Sequence, residues 1–76
     1  MRDLFTAKFG RNVRRIRLKM GLTQEALAER ADLSVNYIGF VENGKRSITL
    51  RNIVKIANAL NAKSDNLFKG LIPKTN

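Results

Sequence analysis

The chain has 76 residues, enough for one domain, and carries 15 Lys and Arg against 6 Asp and Glu, a net charge of +9. A domain of this length buries only about 60–65% of its unfolded surface, which argues against a deep catalytic cavity or a second domain. The absence of Cys and His removes disulfides, thiolate zinc sites, a thiol nucleophile and the commonest general base together, and the six acids show no metal-loop spacing.

The expectation is therefore a protein with no catalytic residues, no metal, no cofactor and no small-molecule ligand. A basic excess of this size favours a polyanionic partner such as nucleic acid or an anionic membrane. It is uneven, since the first twenty residues hold Arg2, Lys8, Arg11, Arg14, Arg15, Arg17 and Lys19 against Asp3 alone. Neither a membrane-length apolar run nor a signal-peptide core is present, so a cytoplasmic location without membrane contact is expected.

Five short helices are predicted, in an all-α, compact bundle. The first runs from about Thr6 to Met20, because Phe9, Val13, Ile16 and Met20 recur on one helical face and Gly21 supplies a left-handed stop. Thr23 caps the second, Gln24 to about Arg30, with Leu22 and Leu27 as a hydrophobic staple. Ser34 caps the third, stapled by Leu33 and Ile38 and ended at Asn43-Gly44. Thr49 caps the fourth, stapled by Ile48 and Ile53, with Leu50, Ile53, Ile56, Ala57 and Leu60 on its apolar stripe. Ser64 caps the last, Asp65 to Lys69, before Gly70, Pro73 and a tail over 71–76.

Only about three residues separate the second and third helices, so the two must cross steeply. Ala28 supplies the small residue at the crossing and Ile38 the branched residue that packs back. One helix can then lie across a duplex backbone while the other enters the major groove, about 12 Å wide. The segment TQEALAERADLSVNYIGFVENGKR resembles the helix-turn-helix of the Xre/Cro–repressor family, the lambda-repressor-like DNA-binding domain, over about 24–42. The resemblance continues through SITLRNIVKIANAL and SDNLF, and NYI followed by VENGKR is similar to the stand-alone controller proteins of restriction-modification systems. Phage and plasmid Cro-like repressors and antitoxin-type autorepressors share much of the pattern. Asp32 stands where that family usually has Gly, and Phe40 where it usually has a small or polar residue. Asp tolerates a left-handed backbone better than most residues.

The resemblance implies a sequence-specific transcriptional regulator of double-stranded DNA. Val35, Asn36 and Tyr37 are the expected base readers, Asn suiting adenine and Val a thymine methyl; Tyr37 alternatively packs against the first helix or a dimer edge. Phe40 either meets a thymine methyl or shields the third helix from solvent. Gly39 costs about 1 kcal/mol in mid-helix, offset by close approach to DNA or to a neighbouring helix. Gln24, at a helix N-terminus, together with Ser34, Asn43, Lys45 and Ser47, is expected to hold phosphate, and Arg46 implied to reach a base. Lys8, Arg11, Arg15 and Lys19 form a basic stripe on the first helix, a backbone contact or a solvated face. Arg17 and Glu42 are the family's structural ion pair.

One small module contacts too few bases to select a site, so a homodimer on a palindromic operator is expected, its half-sites about 34 Å apart. Helices four and five, about 50–69, complete the core. Val54, Leu67, Phe68, Leu71 and Ile72 are the candidates for the dimer contact.

Overall fold

The computed structural model describes residues 4–61 and 64–71, with the side chains of residues 64 and 65 outside the description. Its elements are α1 (Leu4–Lys19), α2 (Gln24–Ala31), α3 (Val35–Glu42), α4 (Leu50–Leu60) and α5 (Ser64–Leu67), and no strand occurs among the described residues. Four of these are helices of two turns or more. The fifth is a single turn of four residues, shorter than the Asp65 to Lys69 helix predicted.

The caps form as the sequence dictates. The side chains of Thr23, Ser34 and Thr49 accept hydrogen bonds from the amides of Ala26, Tyr37 and Asn52, each satisfying one orphan donor of a helix start. The helix ends are equally local. Asp32 adopts φ 55° and ψ 48° after α2, while the amides of Asp32 and Leu33 bond back to Glu29 and Ala28. This is the left-handed C-terminal motif usually given to glycine, and Asp accepts it at modest cost.

α2 and α3 cross with Ala28 and Ile38 buried between them, and α4 closes over α2. α1 lies along α3, where the contact is backbone against backbone. A Cβ on Gly10 would overlap the carbonyl oxygen of Val41, and one on Gly44 would stand 2.8 Å from the Cα of Ala7. Gly44 also turns at φ 67°, so two separate constraints select glycine there. Ala7, Gly10 and Gly44 thus form a seam whose one side chain is the Ala7 methyl, and the seam fixes the height of α3 above α1.

Phe9, Val13, Leu27, Ile38, Ile56 and Leu67 fill the centre. Asn12, itself buried, donates to the carbonyls of Leu67 and Lys69 at 2.9 and 3.0 Å and so ties the last turn to α1. Leu67 is fully buried. That removes it from the predicted dimer contact, because a side chain with no exposed area already belongs to its own core. Phe68 packs on Phe9 with ring centroids 5.9 Å apart and the rings tilted by 31°, and Leu71 packs on the same cluster, each half-buried. Ile72 lies outside the described residues.

Candidate nucleic-acid interface

α3 is amphipathic in an unusual way: its outward face is uncharged. Ile38, Val41 and Glu42 are buried, which turns Val35, Asn36, Gly39, Phe40 and Asn43 away from the core. Val35 and Phe40 remain 39% and 38% exposed, large apolar groups on a surface that hydration alone does not favour. The predicted readers Val35 and Asn36 therefore share one open face. Tyr37 sits at its margin, half-buried against the core, and its hydroxyl accepts a hydrogen bond from Asn52 of α4 at 3.1 Å. Its packing neighbour is thus α4 rather than the first helix, a link that spacing within one helix cannot reveal.

Phe40 acquires a partner from its own chain. The guanidinium of Arg46 lies 4.9 Å from the ring centroid, over the face that a cation prefers. The ring thus supports a side chain that leaves the helix one turn later, a role distinct from the two expected for it. Asn43, Lys45, Arg46 and Ser47 all stand exposed in the turn after α3.

Beneath that turn lies the ion pair. Arg17 Nε donates to Glu42 Oε2 at 2.6 Å and Arg17 Nη2 to Oε1 at 3.0 Å, while Nη1 donates to the carbonyl of Leu22 at 2.8 Å. The hydrogen bonds from Arg17 to Glu42 raise the Arg17 pKa above its ordinary value; burial opposes this, and the charges of Glu42 and Glu25 add to it. Gln24 belongs to the same network, since its amide nitrogen donates to Glu42 Oε1 at 3.1 Å. Its position at the start of α2 is as predicted, but its Nε2 is engaged with a carboxylate that sequence spacing did not connect to it. Ser34 Oγ accepts the α3 cap bond, which leaves its hydroxyl hydrogen available to a phosphate.

The basic stripe expected on α1 divides. Lys8 and Arg15 turn toward the last turn and donate to the carbonyls of Gly70 and Asn66 at 3.4 and 3.3 Å. Arg11 and Arg14 border Arg15 and Lys19 on one side and, on the other, line a concavity with Ala7, Glu42, Asn43 and Lys45. Arg14 was in no predicted stripe, because its association with the turn after α3 is a tertiary one.

Two short helices packed across a brief turn, the second tied to α1 by a buried ion pair and carrying an uncharged polar and apolar outward face with cations around its end, define a helix-turn-helix protein. The sequence matches the family described as helix-turn-helix over residues 13–67. It is 45% identical over 61 residues to Control protein C.BamHI from Bacillus amyloliquefaciens, covering 79% of this chain and 75% of that one. The structure superposes on the restriction-modification controller protein C.AhdI from Aeromonas hydrophila with a TM-score of 0.79 and 43% identity, over 83% of this chain and 96% of that one. C.Esp1396I bound to a 25 base pair operator site matches with a TM-score of 0.80 and 28% identity, over 88% of each chain. The chain belongs to the Xre-type helix-turn-helix family, and restriction-modification controller proteins are among its relatives. No helix among the described residues is long and apolar enough to cross a membrane.

Proposed function

We propose that this protein is a cytoplasmic, sequence-specific transcriptional regulator that binds a palindromic DNA operator as a homodimer, in the manner of a restriction-modification controller protein. The observation that carries the proposal is the outward face of α3, where Val35, Asn36 and Phe40 stand exposed on an uncharged surface beside a cluster of cations. Val35 and Asn36 read bases, Tyr37 works from the margin, and Arg46 reaches the duplex from its seat on Phe40. Ser34, Asn43, Lys45 and Ser47 hold phosphate, with Gln24 contributing from the N-terminus of α2. No catalytic step is needed for this activity, and occupancy follows protein concentration through dimerisation.

The partner face is best supplied by α4. Leu50 and Val54, one turn apart on that helix, are 75% and 49% exposed. A two-fold contact through them pairs two α3 helices on one side of the duplex. Leu50 was absent from the expected dimer set because the apolar stripe of α4 had assigned it to the core. Selecting bound sequences from a random DNA pool tests the whole proposal, the expected product being a palindrome with half-sites about one helical turn apart. Asn36→Ala should then relax preference at one base pair; an equal loss on operator and random DNA would remove Asn36 from the readers.

A further inference from the structure

Two cations of α1 and one of the turn after α3 face one concavity. Arg11 and Arg14, from successive turns of α1, meet Asn43 and Lys45 around a hollow of about 400 Å³. Glu42 also borders it, but its carboxylate is committed to Arg17 and Gln24 and its side chain is only 2% exposed. The side chains of Arg11, Arg14 and Lys45 make no hydrogen bond or ion pair with another described residue, and all three are exposed. Like charges at three-residue spacing on a helix repel one another. The seam below fixes the main chain that carries them, since α1 and the turn after α3 meet there at close range. The hollow therefore has a main-chain floor and three cations that no free carboxylate among the described residues balances.

We propose that Arg11 and Arg14 of α1, with Asn43 and Lys45, form a phosphodiester-binding site that grips the DNA backbone strand running past the C-terminal end of α3. Its chemistry is that of an anion site: two guanidinium forks suited to paired phosphate oxygens, one ammonium and one amide donor. Free phosphate shares that chemistry. The duplex is the occupant because Asn43 and Lys45 are the first residues beyond the outward face of α3, so a strand flanking a groove entered by that helix must pass them. The site extends the footprint from the helix-turn-helix to α1, and it rests on the proposal that α3 enters a DNA groove.

The test uses the full chain, the operator recovered by selection, a random-sequence duplex, and affinities measured across a range of salt. Arg14→Ala and Arg11→Ala should each weaken both duplexes to a similar extent. Each should also flatten the slope of log affinity against log salt by about 1 per protomer, the change expected when one phosphate is no longer neutralised. Arg14→Lys should retain most of the slope. Lys19→Ala, which removes a charge of the same helix near Leu60 and Asn61, should leave the slope unchanged. A slope unaltered by both arginine variants overturns the site, while the DNA-binding proposal survives if native protein still selects a palindrome. Equal flattening by Lys19→Ala would also overturn it, assigning the effect to net charge. Saturable thermal stabilisation by inorganic phosphate that depends on Arg14 would assign the site to a free anion and overturn the backbone contact. Native protein with no affinity for either duplex would bring down both proposals together.

Discussion

Replacing Arg17 by Ala should come close to unfolding the protein. Three hydrogen bonds disappear, two to Glu42 and one to the carbonyl of Leu22, and Glu42 is left charged in a site where its side chain is 2% exposed. Only Gln24 remains to solvate it. Removing one partner of a buried pair in this way costs about 3–5 kcal/mol. A chain of this length has a total stability on the order of 4–11 kcal/mol. At about 4–8 °C per kcal/mol, the melting temperature should fall by roughly 12–40 °C. Thermal unfolding followed by far-ultraviolet circular dichroism measures this directly. Combining Arg17→Met with Glu42→Leu should recover much of the loss, because no charge is then left buried. The raised pKa of Arg17 gives the sign of the pH dependence: its contribution is fully present below the unfolded guanidinium range and is lost only as strong alkali deprotonates the folded side chain. A melting temperature within about 3 °C of native, with DNA binding abolished, would refute the structural role and place Arg17 at the DNA.

Gly39→Ala should stabilise the monomer by about 1 kcal/mol and yet weaken operator binding, because a Cβ there meets nothing within 4 Å but stands in the middle of the outward face of α3. A lower melting temperature would contradict the open space, and an unchanged affinity would show that the duplex stays clear of that position. Phe40→Leu should weaken operator binding roughly two- to fivefold per protomer by removing the ring beneath Arg46, whereas Phe40→Tyr should preserve it. Equal binding by both variants would mean that the ring is not used. Val54→Lys combined with Leu50→Lys should shift sedimentation toward an 8.6 kDa species with the melting temperature of the monomer little changed. Leu67→Ala should instead lose about 2–5 kcal/mol of monomer stability, and a dimer unaffected by the paired lysines would place the contact elsewhere.

What could be read along the chain was whatever local chemistry decides. Thr23, Ser34 and Thr49 announced helix starts because a cap acts within three residues, and Asp32 marked a left-handed turn because its side chain tolerates one. The Arg17–Glu42 pair came from resemblance rather than spacing, and the structure places it as expected. Hidden from the sequence were the features that depend on which helix lies next to which. Nothing in the spacing of α1 marked Gly10 as the point where Val41 comes against the helix. Leu67 and Leu50 exchanged their expected roles, one entirely inside and the other outside, because an apolar stripe does not say how far its margin is covered. Asn52 and Gln24 found their partners 15 or more residues away, and Arg14 came to border the turn after α3, all beyond the reach of helical periodicity.

The seam of Ala7, Gly10 and Gly44 has a bearing on how such a protein changes its target. α3 is held by its buried side and by main-chain contact at its end, so residues 35, 36, 39 and 40 carry little of the fold. Those four positions form a replaceable lettering on a fixed type block. On the base-reading role proposed for them, substitution there redirects the protein to a new operator without touching the core, whereas a single methyl group added at Gly10 would displace α3 and spoil recognition of every operator at once.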